Sequence, residues 1–212
     1  MNHNQKAVEI FNKLAEAYAQ KYQNVELYSS SLDFFCICLE KGKERILDLA
    51  CGPGNLSRYL LNKRPDLQLT GTDLAENMIS IARKNNPEAD FKVMDGRQLH
   101  QLNGSFDGIV CSFLLPYLSI NETEALLSSI KEKLSPQGIL YLSAIEGDYA
   151  SSRYKKGSTG DEIFMHYYDE KTLLEKLKVS GFEILKTEHI LYPMADGSKE
   201  EDIILVARKI KG

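Results

Sequence analysis

Between Arg45 and Glu146 the chain alternates short apolar runs with stretches of helical periodicity. "RILDLA", "LQLTGTDL", "DFKVMD", "FDGIVCSF" and "GILYLSAIE" have the length and apolar content of buried strands. "NLSRYLLNKR", "ENMISIARKN" and "ETEALLSSIKEKL" carry apolar residues at helical spacing. Alternation of this kind produces right-handed β-α-β crossovers, which set strands parallel and bury both faces of the sheet.

The end of the chain departs from that pattern. "DEKTLLEKLKVSG" reads as a helix that starts at an Asp169 N-cap and stops at Gly181. "FEILKTEHILY" and "EDIILVARKI" follow, separated only by "PMADGSKE". That link is too short for a parallel crossover, so the two strands form an antiparallel hairpin. The expectation is one α/β domain over residues 1–212. Its sheet is Rossmann-like, doubly wound and seven-stranded, with five parallel-type strands, a C-terminal antiparallel hairpin and helices on both faces. Two helices precede it. One runs from about 4 to 22, with Val8, Phe11, Leu14, Ala15, Tyr18 and Tyr22 on one side, and the second from about 29 to 41. Residues 1–41 are thus an N-terminal helical segment. Residues 147–170 show no period and read as one long irregular loop, which in a compact domain is functional or disordered.

The first strand leads into "CGPGN" and then a helix. Glycines there let the chain turn sharply and let a ligand approach the backbone, while the helix offers free N–H groups. Nicotinamide dinucleotides seat a pyrophosphate on such a turn; S-adenosylmethionine seats its amino-acid and ribose portions there. The dinucleotide fingerprint wants a third glycine, and Ser57 holds that place. Asp48, within the strand, needs a partner if buried. A ligand ammonium suits it and a pyrophosphate does not; backbone donors are the other solution. Asp73 ends the second strand, positioned to accept ribose hydroxyls or to cap the next helix. Asp95, before Gly96, fits an edge contact to adenine or a simple Asp-Gly turn. All three acids sit at or near strand ends where an open α/β sheet binds ligands.

Composition narrows the function classes. A net charge of -4, with Lys and Arg interspersed among Asp and Glu, disfavours nucleic acid as a partner. No apolar run approaches the roughly 20 residues needed to span a bilayer, and "MNHNQKAVEIFNKL" is not a secretory signal, so no membrane partner and a cytoplasmic location are expected. Cys36, Cys38, Cys51 and Cys111 lack metal or redox spacing, and read as free, mostly buried thiols; no metal is expected.

These residues carry a resemblance. "LDLACGPGNL" resembles the first motif of the class I S-adenosylmethionine-dependent methyltransferases, acid-x-Gly-x-Gly-x-Gly, with Ala50 in place of the first glycine. "GTDLAENMI" is similar to the family's ribose motif, with Met78 near adenine, and "VMDGRQL" to its adenine motif. "FDGIVCSFLLPYLS" resembles the strand that lines the transferred methyl group, and "LSPQGILYLSAIEGD" the fifth strand and the loop after it. The resemblance implies S-adenosylmethionine as cofactor and contacts to it from Tyr18, Tyr22, Asp48, Ala50, Gly52, Gly54, Asp73, Leu74, Met78, Asp95, Gly96 and Ser112.

The same resemblance implies methyl transfer to a small-molecule acceptor. Such chemistry needs alignment and exclusion of water more than a fixed catalytic triad. "CSFLLPY" lacks the Asn/Asp-Pro-Pro-Tyr/Phe signature of amino-group methylases, which disfavours a nucleic-acid base as acceptor. Tyr117, Tyr154 and His166 are the candidates to meet the acceptor; each has a plainer reading, as loop cap, loop tyrosine or solvated histidine. The resemblance makes residues 1–41 an N-terminal helical lid, whose Tyr18 and Tyr22 close over the cofactor or simply pack on the sheet, and residues 147–170 a substrate-side loop insertion. A non-catalytic cofactor-binding protein remains as the alternative. So, less favourably, does a nicotinamide-dependent oxidoreductase, which would want a Tyr-x-x-x-Lys relay that Tyr154-Lys155-Lys156 does not supply. Either a monomer or a homodimer is compatible with the sequence.

Overall fold

The computed structural model describes residues 3–40, 42, 44–157, 159–194 and 197–210. In chain order the elements are α1 (His3–Lys13), α2 (Ala15–Lys21), α3 (Ser29–Cys38), β1 (Arg45–Leu49), α4 (Asn55–Lys63), β2 (Gln68–Asp73), α5 (Glu76–Asn85) and β3 (Asp90–Val93). They continue with β4 (Phe106–Cys111), α6 (Ile120–Lys133), β5 (Leu134–Ile145), β6 (Arg153–Lys156), β7 (Glu162–Met165), α7 (Glu170–Val179), β8 (Phe182–Pro193) and β9 (Lys199–Lys209). The main sheet has seven strands in the order β3-β2-β1-β4-β5-β9-β8. The first five pair in parallel; β9 is antiparallel to β8, as the short connection required, and also to β5.

Side chains alternate across this sheet and so build two cores. Leu47, Ile109, Leu140, Leu142 and Leu205 face α6 and α7. Ile46, Val110, Tyr141, Ile204 and Val206 face α3, α4 and α5. Because helices cover both faces, β1 is buried from Ile46 to Leu49 without a polar side. Asp48 shares the second face.

Three expectations need correction. The helix of residues 4–22 bends at Leu14 (φ −105°, ψ 14°). The bend keeps Phe11, Ala15 and Tyr18 together on Ala75, Met78 and Ile81 at α5, which one straight helix face would not reach. The helix of 29–41 ends at Cys38, where Leu39 turns extended and buries its side chain. The segment 147–170 is not an irregular loop. It folds into a two-stranded antiparallel ribbon of β6 and β7, registered Tyr154 to Phe164, whose rings meet edge to face at 5.2 Å. The ribbon turns at Gly160 (φ +85°). Residue 158 of that segment, residues 195–196 of the final turn, residues 1–2 and 41 of the N-terminal segment, residue 43 after it, and residues 211–212 lie outside the described residues.

The β1–α4 turn is fixed from below. Gly54 has φ +78°, and a Cβ there would lie 2.5 Å from Asn86 Nδ2 and 3.1 Å from Ala82 Cβ. The Asn86 amide donates to Gly54 O at 3.1 Å, joining the start of α4 to the end of α5. Strain and overlap therefore act together at Gly54. Gly54→Ala should cost about 2 kcal/mol or more of folding stability, read as a lower urea midpoint; an unchanged midpoint would contradict this packing.

Candidate functional site

The C-terminal ends of β1, β2, β3 and β4 open into one pocket. Its floor is the turn after β1, where Ala50 (φ +57°) and Gly52 (φ +53°) both take left-handed backbone. A Cβ added at Gly52 would point toward the Tyr18 ring, 4.0 Å away, so glycine keeps that space open. Asp73 forms one wall. Its Oδ2 accepts the Gly52 N–H at 2.9 Å and its Oδ1 the Ala75 N–H at 2.8 Å. Burial raises this carboxyl, and the N–H groups of Ala75, Gly52 and Leu74 oppose the shift by solvating the charge.

The adjoining slot is apolar. Leu74, Met78, Met94, Leu114 and Leu118 line it, with Asp95 and Gly96 at its edge. Asp95 Oδ1 accepts the Arg97 N–H at 2.9 Å, and its Oδ2 pairs with Arg97 Nη2 at 2.7 Å. Arg97 Nη1 reaches Glu122 Oε1 at 2.8 Å. Partial burial tends to raise the Asp95 carboxyl, but the Arg97 hydrogen bonds and charge outweigh it and hold it below the usual range. Across the slot, α1 supplies a roof of Ala7, Val8 and Phe11. The roof is tied to α5 by Asn12, whose Oδ1 accepts the Asn77 N–H at 2.9 Å and whose carbonyl accepts the Asn77 amide at 2.9 Å.

At the far end lie Ser112, Phe113 and Tyr117. Ser112 Oγ sits 3.1 Å from Ser143 Oγ, which also accepts the Phe113 N–H at 3.0 Å. Those contacts hold Phe113 at φ +53°, a conformation uncommon for a bulky residue. Tyr117 meets Phe11 edge to face at 5.4 Å, and Phe11 meets Tyr18 at 5.6 Å. Burial, followed by the neighbouring tyrosines and Asp73, pushes the Tyr18 and Tyr117 hydroxyls well up.

The structure gathers Tyr18, Ala50, Gly52, Asp73, Leu74, Met78, Asp95, Gly96, Ser112 and Tyr117 around this pocket. Five other expected residues are not among its lining. Asp48 lies beneath the turn, 1% exposed, and accepts the Ser57 hydroxyl at 2.5 Å. Its partner in this structure is therefore the very residue that replaces a third glycine. Burial pushes the Asp48 carboxyl up to about 7, with Asp73 adding to the rise and Ser57 opposing it. Gly54 shapes the turn from the α5 side, and the Tyr22 ring lies tilted between those of Tyr18 (4.4 Å) and Tyr192 (6.2 Å). Tyr154 is 50% exposed on the ribbon. The His166 ring stacks on Tyr149 at 5.3 Å, and the His166 backbone N–H donates to Pro116 O at 2.8 Å.

Sequence reasoning passed over Ala7, Met94, Arg97, Phe113, Leu114 and Leu118 as lining residues. Arg97 carried a signal, since it stands two residues after an acid already singled out. Phe113 carried none, because its positive φ is set by Ser143 from another strand.

A family model described as a methyltransferase domain matches residues 46–138, the stretch from β1 into β5 that builds the floor and walls of the pocket. The demethylmenaquinone methyltransferase of Thermotoga maritima is 24% identical over 84% of this chain and 88% of its own length. A putative methyltransferase of Bacillus subtilis is 39% identical over 48% of this chain, which spans only 41% of that protein. In fold, the magnesium protoporphyrin IX methyltransferase of Synechocystis, solved with S-adenosylmethionine bound, superposes with a TM-score of 0.74 at 18% identity, covering 99% of this chain and 98% of its own. The nicotinamide alternative loses its basis: β9 runs antiparallel where that architecture continues in parallel, and the family model and the sequence relatives above are methyltransferases. Motif order, pocket and relatives agree: residues 46–138 match a methyltransferase domain, and the chain as a whole is similar to class I S-adenosylmethionine-dependent methyltransferases.

Proposed function

We propose that this protein transfers the methyl group of S-adenosylmethionine to a small-molecule acceptor, with the donor seated along β1, β2 and β3 and the acceptor entering beyond Phe113 and Tyr117. The observation that carries the reading is the Asp73 carboxylate, buried at the mouth of the glycine turn and held there by two backbone N–H groups. The donor set fits the cofactor. Asp73 offers acceptors for ribose hydroxyls, Gly52 leaves room for a chain to lie against backbone, and Leu74, Met78 and Leu114 form a slot of adenine-like character beside Asp95 and Gly96. When bound, the cofactor supplies an already activated sulfonium methyl.

The chain's own residues then orient and shield. Asp48 places negative potential under the turn, where a ligand ammonium would meet it. Phe11, Tyr18 and the rest of the N-terminal helices act as a lid that keeps water from the reacting atoms. Phe113 and Tyr117 shape the boundary between donor and acceptor, and Tyr154 and His166 belong to the ribbon on the acceptor side. The small-molecule acceptor draws support from the relatives named for demethylmenaquinone and magnesium protoporphyrin IX.

S-adenosylhomocysteine, the demethylated product, should raise the melting temperature of the purified protein, and Asp73→Ala should weaken its binding at least tenfold by calorimetry; no shift at saturating ligand would contradict the reading. The Asp48 carboxyl ionises near pH 7 in the free protein, so a ligand that needs its charge must first expel a proton below that pH. Affinity should therefore rise between pH 6 and pH 8, and Asp48→Asn should flatten that rise. An unchanged pH dependence in the variant would remove Asp48 from the site.

A further inference from the structure

The donor pocket makes no use of one buried acid at its far end. Asp202 is 4% exposed and stands on β9 opposite Ile145, the last residue of β5. That register places it at the ligand-binding end of the sheet. The hydroxyl of Tyr28, from the turn that opens α3, donates to Asp202 Oδ2 at 2.8 Å. The Tyr28 ring in turn stands edge to face on Phe113, with centroids 5.7 Å apart. Phe113 is a wall of the pocket, so a continuous contact runs from the pocket wall through Tyr28 to a buried carboxylate.

The surroundings of Asp202 are acidic and phenolic. Tyr28 faces it from the turn before α3, Tyr141 from β5, Tyr192 from β8, Glu200 from β9 and Lys155 from β6. Lys155 is committed to an ion pair with Glu200, and no ion pair to Asp202 occurs among the described residues. A carboxylate buried without a cation is costly, and an amide would hold Tyr28 to the hairpin with less penalty. Burial pushes this carboxyl up to about 6, Glu200 adds to the rise, and Tyr28 and Lys155 oppose it. The Tyr28 oxygen, having given its proton to Asp202, still has lone pairs to accept another hydrogen.

We propose that Tyr28 and Asp202 are the proton-accepting pair of the methyl transfer, and that the acceptor is therefore protic, a hydroxyl or an amine still bearing hydrogen. The inference rests on the methyltransferase reading of the neighbouring pocket. Tyr28 is the catalytic residue, and Asp202 acts through it as a positioning residue. The proton on the acceptor's oxygen or nitrogen passes to Tyr28 Oη while the Tyr28 proton passes to Asp202 Oδ2, and Asp202 later releases it to water. The electron pair left on the acceptor forms the new bond to the methyl carbon, and the sulfur keeps the pair of the bond it loses. Tyr22 stands close enough to Tyr117 and Tyr192 to raise both of their hydroxyls, and the three rings give this acceptor region aromatic walls.

The test uses S-adenosylmethionine labelled in its methyl group, incubated with the full-length protein and a small-metabolite extract of the source cell. Initial label transfer is followed from pH 5 to pH 9. S-adenosylhomocysteine affinity and melting temperature are measured in parallel for wild type, Tyr28→Phe, Asp202→Asn and Asp202→Glu. The expected result is a wild-type acid limb near pH 6 and a loss of turnover of about 100-fold in Tyr28→Phe. Asp202→Asn should lose the acid limb, Asp202→Glu should restore part of the rate, and S-adenosylhomocysteine affinity should stay within about twofold throughout. Turnover and pH profile unchanged in Tyr28→Phe and Asp202→Asn would overturn the proposal. So would a loss of rate that merely follows lost affinity or melting temperature. A wild-type protein that binds S-adenosylhomocysteine but labels nothing would remove methyl transfer itself, and the proton-accepting pair with it.

Discussion

The Asp73 carboxylate holds the ligand-binding end of this sheet together. With one oxygen on the Gly52 N–H and the other on the Ala75 N–H, it joins the turn after β1 to the start of α5. Both contacts come from backbone, so the geometry survives changes of neighbouring side chains. They also solvate a charge that burial would otherwise neutralise. The left-handed turn at Ala50 and Gly52, the slot beside Met78 and the roof of α1 are all placed with reference to that junction. Asn86 performs a matching service on the other side of the turn, where it seats Gly54 against α5.

A second constraint is aromatic. Phe11, Tyr18, Tyr22, Tyr117 and Tyr192 form a string of ring contacts from the lid across to the terminal hairpin. The string links three parts of the chain far apart in sequence, so the packing of α1 over the pocket is tied to that of the terminal hairpin. Lys13 and Asp161 add an ion pair at 3.1 Å between the end of α1 and the ribbon, although its exposure makes it worth little on its own.

Much of this was legible in the sequence because the informative signals are local. The alternation of strands and helices is a period, the hairpin follows from the length of one linker, and Asp169 caps α7 through the Thr172 N–H at 2.9 Å as its position indicated. The motif acids fell at strand ends because strands end where the sheet opens. What was not legible depends on contacts between distant segments. The ribbon of β6 and β7 is too short to declare a period of two, and its register is fixed by Tyr154 meeting Phe164 across the turn. The bend at Leu14 answers to α5, not to α1. Asp48 showed only that it needed a partner; that Ser57 is one required the helix to be laid over the strand. The Tyr28–Asp202 contact spans most of the chain and left no trace in either local sequence.

The central claim is that the buried Asp73 junction is the seat of a nucleoside-bearing methyl donor. A crystal structure of the protein with S-adenosylhomocysteine tests it most directly. The account predicts both ribose hydroxyls within hydrogen-bond distance of the Asp73 carboxylate, about 3.2 Å or less. It also predicts the adenine ring in the slot between Met78 and Leu114, and unchanged bonds from Asp73 to Gly52 and Ala75. A ligand bound elsewhere, or one whose ribose lies away from Asp73, would contradict it.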